Sequence, residues 1–441
     1  MPVISWIKNV FENKRNSTAL ERELKPINDH LIFMPSQPLT LGVEFELALL
    51  DGKTLKPAHR GPAIIEQLNA PTLHKETLEH MLEITTTVCR DVHEAHGQMQ
   101  QSLQQVQNHI AADGLLLCGT GWPPILNMAD CRRTPVALYG ELKERYKLLR
   151  EDRQIFTDRF SRLSMHMHLG MTDAESCIRY SNFFMHFIPH LLALSAGSPF
   201  ENGVNTGLAA IRPTVAESLP TAGSPYYFDT WQEYRSLTQA MFRAGSIQHP
   251  KDQWWDIRPC PRYGTLEIRI CDQPATLEEA MAIVAFTHAL ALWFEQHQSW
   301  LNEMPRPNAW RARENKWRAI RYGLDAKMIL NNQGDIKPLG EDILQWLERL
   351  DPIIKQQRYE PFAETIRAML AQGNSAKRQQ RVWEATNDLE ALTRFCCQEF
   401  KDGKPAWLEV EDICATQQEH ATAEQNRAVG SAAAILQYRQ R

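Results

Sequence analysis

Three short stretches of this chain carry two polar side chains two residues apart, with an apolar residue between them. They are Glu44 and Glu46 in Leu-Gly-Val-Glu-Phe-Glu-Leu, His166 and His168 in Ser-Met-His-Met-His-Leu-Gly, and Glu267 and Arg269 in Gly-Thr-Leu-Glu-Ile-Arg-Ile. In an extended strand, residues i and i+2 share a face, so each stretch reads as a strand with one apolar and one polar face. A sheet that turns carboxylates, imidazoles and a guanidinium into one cavity suggests divalent metal ions and a phosphorylated substrate.

The elements around these strands set the fold class. Residues 1–38 read as an extension: Ile4, Ile7, Val10 and Phe11 follow helical spacing, and Met34-Pro-Ser-Gln-Pro38 reads as a link. A strand is expected from Leu41 to Leu50, helix from Glu76 to about Leu82, and strand again at Glu83-Ile-Thr-Thr-Thr-Val. Helices follow over 92–112, over the charged stretch 132–161, and over 174–196 with a break near Pro189. Residues 197–230 are rich in turn formers and read as loops around a site. A strand over 265–271 precedes an Ala-rich buried helix over 277–298, and the chain is helical from Ala309 onward, with a Gln/Ala-rich tail after Thr416. This order lacks the regular alternation of a doubly wound parallel sheet. It predicts an α+β architecture on an antiparallel sheet.

Composition removes several function classes. A net charge of −5, from 48 basic and 53 acidic residues, gives no electrostatic footprint for nucleic acid or an anionic membrane. The nine cysteines form no Cys-x-x-Cys pair, and Cys89, Cys118, Cys177 and Cys271 lie in apolar contexts, so reduced buried thiols are expected. No secretory signal is legible and no continuous 18-residue apolar stretch predicts a membrane span, so a cytoplasmic protein is expected.

Each dyad is ambiguous alone. A Glu-x-Glu pair is most often solvated, a His-x-His pair is most often structural, and Glu267 with Arg269 could be an in-strand ion pair. Glu76, Glu79 and Glu83 would share a face if helix persisted that far. Taken together they make a hard, oxygen-rich set that suits Mg²⁺ or Mn²⁺ better than zinc or copper. Arg212, Arg258, Arg262 and Arg269 are candidates for phosphate or carboxylate contacts. The chain has no Gly-x-x-x-x-Gly-Lys-[Ser/Thr] loop, which excludes P-loop chemistry.

Five ordered blocks carry a resemblance. They are Thr40-Leu-Gly-Val-Glu-Phe-Glu, Met81-Leu-Glu-Ile-Thr-Thr-Thr-Val-Cys-Arg-Asp-Val, His166-Met-His-Leu-Gly, the run from Trp255 to Asp272, and Arg321-Tyr-Gly-Leu-Asp. Over about Leu41 to Asp351 the chain resembles bacterial carboxylate–amine ligases grouped with type 2 glutamate–cysteine ligases, in the glutamine-synthetase-like superfamily. The resemblance implies a funnel lined by metal ligands, with Glu44, Glu46, Glu76, Glu83, His166 and Glu267 holding Mg²⁺ or Mn²⁺. It places His168 at the ATP phosphates, Arg269 at the transferring phosphoryl group, and Arg258 and Arg262 in the pocket for substrate carboxylates.

The expected activity is ATP-dependent amide formation through an acyl phosphate, with glutamate and cysteine as the substrates the family name implies. A metal-dependent hydrolase and a silent binding protein on the same fold are the alternatives. Small-molecule substrates are the expected partners, and a homodimer is left open. The expected division is an extension (1–38), a catalytic domain (39–375) and a helical C-terminal segment (376–441).

Overall fold

The computed structural model describes residues 24–138, 162–304 and 308–407, together with Lys147, Glu151 and Arg306. The amphipathic start, most of the charged stretch before residue 162 and the Gln/Ala-rich tail lie outside the described residues.

The main sheet contains β1 (Leu41–Asp51), β2 (Leu73–Lys75), β3 (Met81–Thr85), β4 (Leu115–Cys118), β5 (Met165–Gly170), β6 (Ile257–Cys260) and β7 (Thr265–Ile268). They pair in the order β6-β7-β5-β1-β3-β2, with β4 on the far half of β1. Every pairing in it is antiparallel, giving the α+β class expected from the sequence.

The alternation in β1 explains why it sits at the centre. Leu41, Val43, Phe45 and Leu47 are buried on one face, while Gly42, Glu44 and Glu46 occupy the other. The apolar face joins Ile84 of β3, Met165 and Met167 of β5, and Leu266 and Ile268 of β7 in one core cluster. Helices Val92–Ala111 and Leu277–Gln296 supply the opposing apolar surface of that cluster. The second of these is apolar all round because other helices enclose it, among them Leu339–Gln357 and Glu360–Gln372.

That helix also corrects the expectation that no stretch could span a membrane. Its length and composition would suffice (mean hydropathy 1.4), but 89% of the apolar window is buried in the fold. Its hydrophobicity is therefore met by protein.

Glu76 to Leu82 is not helical. Residues 76–80 form a loop, and β3 begins at Met81, pairing Leu82 with Leu47 and Glu83 with Glu46. A partner strand on each side outweighs the helical propensity of a short window. The break near Pro189 appears as two helices, Ala174–Met185 and Ile188–Ser195, with the proline in the first turn of the second. Beyond Ala309 the described chain is helical except for a hairpin pairing Lys327–Ile329 with Ile336–Pro338. The eight described cysteines are free, and all except Cys131 are buried.

Two long-range ties flank the sheet. Arg378 on helix Ser375–Thr386 donates through Nη1 and Nη2 to Glu279, both at 2.8 Å, and through Nε to Glu399 at 2.7 Å. This buried triad stitches two C-terminal helices to the core helix. At the other end, Leu24, Ile27 and Leu31 bury against Phe228, Tyr234 and Trp255. The Met34 amide then donates to the Pro261 carbonyl at 2.9 Å, in the turn between β6 and β7. Gly264 ends that turn at φ 62°, and a Cβ there would lie 1.9 Å from the Met34 carbonyl oxygen. Gly264→Ala is expected to lower stability by about 1–3 kcal/mol, from backbone strain and overpacking, as read by urea unfolding.

His288, on the core helix, donates from Nε2 to the Leu39 carbonyl at 3.0 Å and accepts at Nδ1 from the Tyr359 hydroxyl at 2.9 Å. Burial pushes its pKa down to about 4. The folded state thus binds fewer protons than the unfolded one below pH ~6.5. Its stabilisation is complete above that pH and is lost as pH falls toward about 4. Replacing His288 by Gln should flatten the pH dependence of unfolding free energy in that window by up to about 1.4 kcal/mol per pH unit, measured by urea titration at half-unit steps.

Candidate active site

Strand register builds the polar face. Glu44 lies opposite His166 on β5 and Thr85 on β3, and Glu46 lies opposite Glu83. Glu267 lies between His168 on one side and Arg258 on the other. Directly opposed residues share a face, so strands that are distant in sequence present one continuous charged surface. Glu76 reaches it from the loop between β2 and β3.

Two triads of oxygen and nitrogen donors result. Glu44, His166 and Glu267 form one, and Glu46, Glu76 and Glu83 form the other; within each, the donor atoms all lie within 4.8 Å of one another. All six residues expected as metal ligands are in these two groups. Glu79 is in neither: it belongs to the loop before β3, and its backbone pairs with Arg132 and Gly61.

The first triad is charge-balanced by its neighbours. His166 Nδ1 is 3.0 Å from Glu44 Oε2, and His168 Nε2 is 3.2 Å from Glu44 Oε1. Burial alone would raise the Glu44 pKa, but these two histidines outweigh it and hold the carboxyl below its usual range. His168 Nδ1 is 2.9 Å from the Thr265 hydroxyl. Burial disfavours a charged His168, yet the hydrogen bond and charge of Glu44, and then Glu267, raise its pKa. Glu267 Oε2 accepts from Arg258 Nε at 2.8 Å and Nη2 at 2.6 Å, while Arg269 Nη1 pairs with Oε1. Burial opposes the Glu267 charge, and Arg258 followed by Arg269 more than offsets it, so this carboxyl sits well below its usual range.

In the second triad burial prevails. Burial raises the pKa of Glu46, Glu76 and Glu83 alike. Glu83 rises furthest, because Glu44 and Glu76 add repulsion to the burial. The Glu46 carboxylate accepts from the Ser164 amide at 2.7 Å and hydroxyl at 2.6 Å. His166 and Arg269 draw the Glu46 pKa down, and Arg269 that of Glu76, but by less than burial raises them. Three converging carboxylates of this kind fit a hard divalent ion, whose charge would reverse the burial penalty.

The arginines separate by geometry. Arg258 is buried, and besides Glu267 its Nη1 donates to the Lys251 carbonyl at 2.9 Å and the Gln253 carbonyl at 3.3 Å. It therefore orients Glu267 from behind. Arg262 is exposed in the turn between β6 and β7 and belongs to neither triad. Arg212 is locked on Asp272 at 2.8 Å. Arg269 is half-buried, with its side chain at the edge of the polar face on Glu267.

Three residues escaped the sequence reading: Ser164, Thr265 and Cys260, whose thiol lies 2.9 Å from Glu267 Oε2. Ser164 and Thr265 continue the period-two pattern of the histidine and Glu267 dyads by one step, so the alternation already marked them.

The chain belongs to glutamate–cysteine ligase family 2, whose model matches residues 40–397. The family comprises ATP-dependent carboxylate–amine ligases. The chain is 34% identical over 371 residues to a Bdellovibrio bacteriovorus protein named "Putative glutamate--cysteine ligase 2", covering 84% of this chain and 96% of the relative. A Thermobifida fusca protein of the same name is 33% identical over 381 residues, covering 85% and 94%. The fold is similar to that of a glutamate–cysteine ligase from Francisella tularensis solved in complex with AMP, with TM-score 0.59 and 13% identity over 89% of this chain and 95% of the other. A bifunctional glutathione synthetase from Pasteurella multocida matches with TM-score 0.52 and 14% identity, over 87% of this chain and 53% of that one.

Removing Arg258 would leave Glu267 buried beside too little positive charge. Arg258→Met is expected to cost about 3–5 kcal/mol of unfolding free energy, whereas Arg262→Met should stay within about 0.5 kcal/mol of the parent. Chemical denaturation of the two variants side by side checks this.

Proposed function

We propose that this chain joins a carboxylate to an amine with ATP, and that its product is γ-glutamylcysteine. The observation that carries the reading is the placement of both donor triads, His168 and Arg269 on one sheet face.

In the proposed reaction a substrate carboxylate oxygen attacks the γ-phosphorus of ATP and ADP leaves, giving an acyl phosphate. The amine nitrogen then attacks the acyl carbon, phosphate leaves, and the nitrogen loses a proton. ATP with bound Mg²⁺ or Mn²⁺ supplies the phosphoryl group and neutralises its charge, and the two triads are the groups that would hold the ions. Arg269 is proposed as the donor that stabilises charge developing on the transferring group. His168, fixed by Thr265 and Glu44, presents its Nε2 side to the same space. Arg258 and Glu267 hold the site together, so Glu267 has a structural as well as a ligand role. Arg262, in an exposed turn, fits a contact at the rim of the substrate pocket. Burial of most of this surface favours positioning and electrostatic preorganisation over acid–base chemistry.

The test is ADP release with pairs of amino acids. ADP and phosphate should form in equal amounts only when glutamate, cysteine and Mg²⁺ or Mn²⁺ are all present, and a chelator should abolish turnover. ADP formed without the amine would instead indicate a hydrolase. Glu44→Gln should lower turnover by about two to three orders of magnitude with the melting temperature preserved. Glu44 is the better probe, because Glu267→Gln would also strip Arg258 of its counter-ion. Full activity in Glu44→Gln would overturn the assignment of the triads.

A further inference from the structure

A cavity of about 600 Å³ lies among helices Ala174–Met185, Ile188–Ser195, Ala309–Tyr322 and Leu339–Gln357, with residues 224–227 closing one side. None of the residues of the two donor triads lines it. Its size is that of a small-molecule site, and Phe187, Tyr226, Trp300 and Trp346 give it aromatic walls.

The charge inside this cavity is unusual. Arg311 lines it and is only 7% exposed. Among the described residues its guanidinium makes a single hydrogen bond, from Nη1 to the Leu330 carbonyl at 3.0 Å, and no carboxylate pairs with it. Asp342 also lines the cavity but is already taken, by His190 Nε2 at 2.7 Å and Lys337 Nζ at 2.6 Å. His186 adds no charge of its own, because burial, and then the Arg311 charge, push its pKa down to about 4. The Arg349 guanidinium, 4.5 Å from the centre of the Trp346 ring, adds further positive charge at the wall. His190 Nδ1 is buried without a hydrogen-bond partner among the described residues. A buried guanidinium with most of its donors unused is costly unless an anion meets it, and its planar fork matches an oxyanion.

We propose that this cavity is a second binding site, for a small organic oxyanion with an aromatic body. Its carboxylate or phosphate group meets Arg311, and its ring lies against Phe187, Trp300 and Trp346. The site is separate from the donor triads and does not depend on the ligase reading.

Calorimetric titration of the full-length protein tests this with three probes: 2-naphthaleneacetate, 2-naphthyl phosphate and the neutral 2-(2-naphthyl)ethanol. One equivalent of at least one anion should bind, tenfold or more tighter than the alcohol, and the tighter of the two anions identifies the oxyanion. Arg311→Met should weaken that anion at least tenfold, leave the alcohol unchanged and keep or raise the melting temperature, since no ion pair is lost. Ala312→Phe, which narrows the cavity, should weaken all three probes. Glu44→Gln should bind the anion as the parent does. The proposal is overturned if neither anion binds tighter than the alcohol, if Arg311→Met leaves anion affinity unchanged, or if Glu44→Gln abolishes it.

Discussion

Five carboxylates crowded onto one face of a central sheet must be held together against their own repulsion, and much of this architecture follows from that. Glu46 stands directly across from Glu83, a pairing that disfavours the sheet unless something offsets it. The opposite face supplies the compensation in bulk, because Val43, Phe45, Leu47 and their neighbours bury completely against helices. On the polar face the compensation is local. Arg258, Arg269 and the two histidines hold the Glu44 and Glu267 carboxyls below their usual range, while burial lifts Glu46, Glu76 and Glu83 above theirs. That asymmetry separates a half braced by protein charge from a half in which a bound cation, as proposed above, would offset the burial penalty.

Precision at Arg269 comes from main-chain clamps on its strand end. Its amide donates to the Asp256 carbonyl at 2.8 Å, and its own carbonyl accepts from Arg212 Nη2 at 3.3 Å. Asp256 is in turn held by Lys316 at 2.5 Å, and Arg212 by Asp272, which also accepts from Ser198 Oγ at 2.6 Å. Buried ion pairs of this kind add little net stability over apolar packing. They restrict where a strand end can go, which is what a preorganised electrostatic site needs. The segment before Pro38 adds to this by bonding the turn that joins β6 to β7, so a stretch upstream of the family match braces the hairpin carrying Arg258 and Glu267.

The pattern of alternation made much of this legible before any coordinates. Period-two spacing in Glu44-x-Glu46, His166-x-His168 and Glu267-x-Arg269 anticipated the strand state of five of these six side chains, because i and i+2 share a face in a strand, while β7 ends at Ile268, short of Arg269 and of the expected 271. The antiparallel class followed from the irregular order of elements. The reading failed at Glu76–Leu82, where a short charged window resembles helix and only pairing with β1 decides otherwise. It also could not rank the arginines. Arg258 and Arg262 are four residues apart in similar surroundings, yet one is buried behind Glu267 and the other faces solvent.

The sequence by itself determined which side chains share a face and which residues could serve as a hard, oxygen-rich donor set, since both depend on local geometry and residue chemistry. Tertiary structure decided which strands lie side by side, and hence that Glu44 meets His166, that Glu46 meets Glu83 and that Arg258 braces Glu267. It also decided that Arg311 is buried in a cavity whose one lining acid, Asp342, pairs with His190 and Lys337 instead. Those outcomes rest on the register between strands and on helix packing, neither of which leaves a local trace in the chain.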